Sequence, residues 1–478
     1  MSYFAEFALQ YVDGAWRRGS GSWDIVDFDP YTGEKLASVT VATVAEIDAA
    51  YAAAERAAPG WIAAGGFARR EVLERAVRLV EERQDALAAA LTAETGAPRA
   101  RAVHELRLAR ECLRDAGTLA VGPSESLRPA AADTKENHVL REPVGTVGAI
   151  SPFHHPFLRG LATVAPALAL GNTVVLKPHQ STPVTGGTLL AHLLEEAGLP
   201  GGVLNVVVTD IAEIDNALLA HPVPGVIAYS GSRRTGREIA AVAAAHFKRA
   251  VLDLSGGGAF VVLDDADLAR AAEAVCFSRF VHQGQAGGAP ASRVLVDRAV
   301  EREFTAELVA RARALPVGDP RDPATRIGPL ITPAQATATA TLAEQAAADG
   351  AVPLLPGGAE GPVLRPTVLG APADGPEQLA GSALLTHEVH GPLAVVLPFK
   401  DEDAAVRLAD GAPAERGAAV HTGNERRGIA LARRLPGGTA QLNGSGVPDE
   451  PVARPRGLDA FTTVRWVSVQ FGRSVFPF

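Results

Sequence analysis

The sequence predicts an α/β protein built on a doubly wound parallel sheet, followed by a second α/β unit. Two observations predict it. Short β-branched runs alternate with helical periodicity along most of the chain. The chain's 478 residues are also too many for one hydrophobic core, so two or three domains are expected.

Residues 68–92 place Val72, Ala76, Leu79, Val80, Leu87 and Leu91 at helical spacing. Residues 99–116 carry a second amphipathic pattern, which Asp115, Gly117 and Pro123 should end. In His138–Ile150, Pro143 and two glycines limit how much can be central strand. The apolar run Gly160–Leu176 reads as helix, turn and strand, because Pro166, Gly171 and Asn172 punctuate it. Its end, Asn172-Thr-Val-Val-Leu-Lys177, has the composition of a buried parallel strand. Residues 183–197 are helical, Gly198-Leu-Pro-Gly-Gly is a loop, and residues 203–208 are a strand. Val226-Ile-Ala-Tyr is a third strand, running into Ser230–Gly236 and an alanine-rich helix. Three strand–helix units in succession make a Rossmann-type nucleotide-binding sheet. A second α/β block begins near Leu252 and runs past residue 430, with the Pro/Gly-rich stretch 353–375 as a loop inside it. Residues 463–470 alternate like a strand with one buried face.

Composition narrows the function classes. Hydrophobic residues make up 47% and charged residues 21%, as in soluble globular proteins. The net charge is −9 with both signs mixed and no basic block, which argues against a nucleic-acid partner. The start of the chain has Glu6 and Asp13 in its apolar stretch and does not read as a signal peptide. The longest apolar run is too broken to span a membrane, so a cytoplasmic protein is expected. Cys112 and Cys276 are too few for a disulfide framework or a zinc site, and both lie in helical patterns that read as buried packing.

Two features suggest a cofactor. A strand ending in Gly231-Ser232 before a helix makes an anion site, since glycine admits a phosphate to the backbone and free N–H groups point outward. Lys177 ends a buried-type strand, at the edge where open α/β sheets bind ligands. Beyond these, the runs Val144-Gly-Thr-Val-Gly-Ala-Ile-Ser-Pro-Phe153 and Pro166-Ala-Leu-Ala-Leu-Gly-Asn-Thr-Val-Val-Leu-Lys177 resemble the core of the aldehyde dehydrogenase superfamily. Gly198-Leu-Pro-Gly-Gly-Val-Leu-Asn-Val-Val, Asp264-Asp-Ala-Asp-Leu, Val317-Gly-Asp-Pro, Ile327-Gly-Pro-Leu-Ile and Glu388-Val-His-Gly-Pro392 continue the likeness in order along nearly the whole chain. The likeness is to the benzaldehyde or vanillin dehydrogenase type.

The resemblance implies a nucleotide-binding domain of residues 1–123 and 144–252 and a catalytic-type domain of 253–451. It also implies oligomerisation elements at 124–143 and 459–478. Lys177 would hold the adenosine ribose, Gly231 and Ser232 the pyrophosphate, and Glu388 the nicotinamide ribose. Ser151 and Phe153 would line the coenzyme cleft. NAD-preferring relatives often have a glutamate where this chain has Gln180; without that charge NADP is admitted as well as NAD.

The same resemblance exposes departures at the chemical end. The family attacks its aldehyde with a cysteine thiolate, stabilises the oxyanion with an asparagine and a backbone N–H, and uses a glutamate as general base. The cysteine position falls on Gly287, or on Gly288 if the loop is one residue longer, in His282-Gln-Gly-Gln285-Ala-Gly-Gly-Ala-Pro-Ala-Ser-Arg293. The glutamate position is Asp253, one methylene shorter, and the asparagine position is His154. His390 replaces a phenylalanine, and the loop around 450–460 is shorter than the family's. Cys276 is a remaining thiol, but its helical placement before the loop argues against its use. The reading that follows is a homologue without thiol-type activity, serving as a partner or regulatory subunit in a homo-oligomer (dimer or tetramer) or in a mixed oligomer with an active homologue. The alternative is histidine-assisted chemistry on an aldehyde-like substrate, with His154, His155, His387 and His390 near the cleft. No metal site is expected.

Overall fold

A computed structural model describes residues 3–131, 133–254, 258–285, 291–410, 417–447 and 456–472. Among these residues the strands form two seven-stranded sheets, a three-stranded sheet and two hairpins. The first sheet runs in the order Arg249–Leu254, Val226–Gly231, Thr146–Ile150, Thr173–Lys177, Leu204–Val206, then the antiparallel pair Gln10–Val12 and Ala15–Arg17. The first five strands are mutually parallel. Val174, Val175 and Leu176 are fully buried, as expected for a strand covered on both faces.

The strand order sets the site. From Thr146–Ile150 the chain winds out on one side to Leu204–Val206, then returns to the other side as Val226–Gly231. That reversal opens a crevice at the carboxyl ends, where such sheets bind ligands. The register brings Ile150 opposite both Lys177 and Tyr229, and Ser230 opposite Asp253, so these residues share one edge.

The second sheet runs Val352–Leu355, Thr367–Gly370, Leu393–Phe399, Arg293–Asp297, Ala259–Val262, Ala418–His421, Ala440–Leu442, parallel except for its first pair. The stretch 353–375 is therefore not a plain loop. Two of its strands complete this sheet, and Gly358–Glu360 and Val363–Arg365 form a hairpin between them. Tertiary pairing with Leu393–Phe399 overrides the Pro/Gly punctuation.

Helical spacing holds with three adjustments. Residues 68–92 divide at Arg83 into Gly65–Glu82 and Gln84–Thr95. The next helix, Arg99–Ala120, runs through Gly117, because Ala116, Gly117 and Ala120 are all buried and packing outweighs a glycine penalty of about 1 kcal/mol. Residues 183–197 begin as a π turn, Val184–Thr188, before Leu189–Glu196 becomes α-helical. In the 138–150 region the chain breaks at Gly145, whose φ is 101°. Lys135–Pro143 joins the small sheet, and Thr146–Ile150 is central to the large one.

The small antiparallel sheet pairs Thr462–Gln470 with Lys135–Pro143, and that strand with Glu125–Arg128. The expected buried face of 463–470 is absent. Most of its side chains are exposed on both faces among the described residues. No helix of the described residues is long and apolar enough to cross a membrane.

Candidate functional site

Lys177 ends its strand at the crevice, where burial lowers its pKa and the charge of Asp210 opposes the shift. His179, two residues on, is pushed down to about 4 by burial and by Lys177, so it is neutral at physiological pH. Gln180 is exposed beside them. Ser151 donates its hydroxyl to the carbonyl of Gly186 at 3.1 Å, which fixes the start of the next loop. The Phe153 ring follows, with His154, His179 and His390 around it at centroid distances of 5.6, 5.3 and 6.3 Å.

Across the crevice, Ser232 caps the helix Arg233–Ala245 by accepting from the Thr235 N–H at 3.3 Å. Gly231 is required by contact: a Cβ there would run into the Tyr229 hydroxyl. Glycine, helix start and hydroxyls together form a cradle that fits a diphosphate. Glu388 lies 3.3 Å from His390 Nε2, and its charge reaches both Tyr229 and the buried Arg279. Arg279 donates to the carbonyls of Val389 and Leu393, each at 2.7 Å, and so anchors the segment that carries Glu388. Strand register, the Phe153–His390 ring contact and the charge of Glu388 on Tyr229 bring the sequence-predicted residues Ser151, Phe153, Lys177, Gly231, Ser232 and Glu388 to the carboxyl edge of the first sheet.

At the other end, Asp253 is engaged. Its carboxylate accepts from Arg159 Nη1 at 3.0 Å and from the Ser230 hydroxyl at 3.2 Å. His154 is buried, and His155 beside it takes a left-handed conformation with φ of 45°. His387 does not join the group; it is exposed and bonded to the Thr386 hydroxyl at 3.0 Å. Gly287 and Gly288 lie outside the described residues, as does most of the shortened 450–460 segment. Both thiols are described. Cys112 lies in the Arg99–Ala120 helix and Cys276 at the start of a π turn, and burial pushes each up to about 12. Neither offers a thiolate at neutral pH.

The sequence reasoning missed several polar residues at this end. Arg101 and Glu105 are buried on the Arg99–Ala120 helix, and Glu105 accepts from the Leu158 N–H at 3.2 Å. Arg101 donates to Gln283, which in turn holds the Pro329 carbonyl. His282 is buried with its ring edge-on to Phe277. An arginine and a glutamate four apart look like an exposed helix pair, so the sequence carries no local sign of their burial. Among the described residues, no group of three or more His, Cys, Asp or Glu side chains could hold a metal ion.

Comparison with known proteins places this geometry. The model of the aldehyde dehydrogenase family matches residues 16–457. A benzaldehyde dehydrogenase of Bacillus subtilis is 39% identical over 492 residues, covering 100% of both chains. A vanillin dehydrogenase of Corynebacterium glutamicum is 33% identical, over 96% of this chain and 97% of its own. The crystal structure of an NAD-dependent benzaldehyde dehydrogenase from Corynebacterium glutamicum aligns with a TM-score of 0.92 at 32% identity, over 99% of this chain and 98% of that one.

Proposed function

The chain belongs to the aldehyde dehydrogenase family, a family of NAD-dependent oxidoreductases, and from that premise we propose that it binds NAD or NADP without performing the family's thiol chemistry. In this reading it serves in the cytoplasm as a partner or regulatory subunit, in a homo-oligomer or beside an active homologue. Lys177 holds the adenosine ribose, Gly231 and Ser232 the diphosphate, and Glu388 the nicotinamide ribose, with Ser151 and Phe153 lining the cleft. The coenzyme, when bound, supplies a hydride acceptor. Asp253, held by Arg159 and Ser230, is not poised as a mobile base.

The observation that carries this reading is the state of the two thiols. Cys112 and Cys276 are the only cysteines of the chain, and both are buried with pKa values near 12. Removing a nucleophile alone costs on the order of 10⁴–10⁶ in kcat in a well-studied hydrolase. The test is calorimetric titration with NAD⁺ and NADP⁺, followed by absorbance at the reduced-nicotinamide band with benzaldehyde and vanillin. Coenzyme binding without reduction is expected. Sustained reduction with either aldehyde would sink the proposal.

A second reading, histidine-assisted chemistry on an aldehyde-like substrate, draws on one observation. His155 is buried at the head of the Pro156–Ala169 helix with its Nε2 unbonded among the described residues, while burial and the charge of Arg101 hold its pKa well below the usual histidine range and so weaken it as a base. Reduction by the unmodified chain that vanishes in His155→Ala would favour it.

A further inference from the structure

At the Gly231-Ser232 turn, where the strand Val226–Gly231 passes into the helix Arg233–Ala245, the cradle already has an occupant. Tyr229 is 8% exposed, and its ring belongs to the apolar cluster that holds Ile227 and Ile239. Its hydroxyl lies so close over Gly231 that a Cβ on that residue would meet both the phenol oxygen and the ring. The phenol oxygen takes hydrogen bonds from the Ser232 N–H and from the hydroxyls of Ser232 and Thr235. Ser232 Oγ in turn accepts from the Thr235 N–H at 3.3 Å and lies 3.1 Å from the Thr235 hydroxyl. The donors that make a helix head an anion site are therefore engaged by a side chain of the same chain.

The acceptor that engages them is a weak one. Burial raises the Tyr229 pKa above its ordinary value, the bonds from Ser232 and Thr235 oppose the rise only in part, and the charge of Glu388 adds to it. The phenol is thus neutral at physiological pH. Around it the helix head carries Arg233 and Arg234 and no acidic residue in its first turn. A neutral oxygen sits where the helix dipole and two arginines favour negative charge. Hydrogen bonds to an ionised acceptor are roughly twice as strong as neutral ones, so a phosphate oxygen outcompetes the phenol for the same donors. One N–H carries one hydrogen, so the two acceptors exclude each other at Ser232.

We propose that the Tyr229 hydroxyl is an internal competitor for the diphosphate cradle, bonded to Ser232 and Thr235 until a diphosphate displaces it. The proposal rests on the coenzyme-binding reading and deepens it, naming a contact that sets how tightly the diphosphate of the ligand is held. The apparent affinity is the intrinsic affinity reduced by the fraction of chains in which the cradle is open. Without the hydroxyl the donors are left unbonded in a largely buried turn, which raises the free energy of the chain before binding and so strengthens binding. The effect belongs to ligands that carry a diphosphate, and not to their adenosine end.

The test is calorimetric titration of the full chain and of Tyr229→Phe with NAD⁺, ADP-ribose and adenosine. The substitution removes one oxygen and keeps the ring in its apolar cluster. NAD⁺ and ADP-ribose should each bind Tyr229→Phe about three- to tenfold more tightly than the parent, with adenosine changed by less than about twofold. A residue that only supports the fold would weaken binding when trimmed, or leave it alone, so the sign of the change separates the two roles. Should Tyr229→Phe fail to fold, Tyr229→Leu, which also lacks the hydroxyl, decides. The proposal is overturned if ADP-ribose binds the folded variant no more tightly than the parent, or if adenosine gains as much as ADP-ribose. Equal NAD⁺ affinity in parent and variant removes the competitor and leaves the coenzyme-binding reading standing, whereas no NAD⁺ binding to either chain removes both.

Discussion

At the scale of single residues, the two ends of the cleft each turn on one side chain. Asp253 shares its carboxylate between Arg159 and Ser230, and the pair with Arg159 is only partly shielded from solvent, with side-chain exposures of 17% for Arg159 and 34% for Asp253. Such a pair contributes modestly, so Arg159→Met should cost about 1 kcal/mol in denaturant unfolding, far below the loss expected for a fully buried pair. A loss of several kcal/mol would show that Arg159 anchors more than Asp253. At the other end, Gln180 is exposed and neutral beside Lys177. A carboxylate there would face the 2′-phosphate of NADP. Gln180→Glu should weaken NADP⁺ binding by on the order of tenfold, with NAD⁺ little changed. Equal losses for both coenzymes would remove Gln180 from the coenzyme site.

Whole elements meet through buried acids as well as through apolar faces. Asp27, on the strand Asp24–Phe28, is 1% exposed beside Glu94 near the end of the Gln84–Thr95 helix. Glu94 accepts from the N–H groups of Val184 and Thr185, both at 2.8 Å, tying that helix to the π turn. Burial, then the charge of Glu94, raises the Asp27 pKa. A folded-state pKa above the unfolded value means that the folded state holds its proton longer. The stability that Asp27 contributes is therefore full below the ordinary carboxylate range and falls as pH rises toward the raised value. Asp27→Asn removes the titration, so its melting temperature should decline less than the parent's from about pH 5 to about pH 9. Parallel curves would refute this. At this scale the sequence was informative wherever composition is local. The run Thr173–Lys177 and the step Gly231-Ser232 announce a strand end and a helix start, and both are found there. It was uninformative where burial is imposed from afar. Nothing near Arg101 or His282 says that three elements close over them, and the glycines and prolines of 353–375 conceal strands that exist only because neighbours pair with them.

For the whole molecule, the two large sheets each build a covered core, whereas among the described residues the strand Thr462–Gln470 of the three-stranded sheet is exposed on both faces. Thr462–Gln470 is its edge, paired on one side along nine residues and, among the described residues, open on the other. Long open edges invite pairing with another chain. Register puts Val464 and Trp466 on one face and Val467 with Leu127 on the other, all of them exposed. Apolar side chains on both faces of an unpaired edge are costly for a lone chain and useful in an assembly. The prediction is a dimer or larger oligomer by light scattering. Val464→Asp with Trp466→Asp should shift it to a smaller species while leaving NAD⁺ binding intact, because neither residue borders the coenzyme cleft. A monomeric parent chain would end the argument for a homo-oligomer. A parent oligomer that the double substitution leaves unchanged would move the interface elsewhere on the molecule.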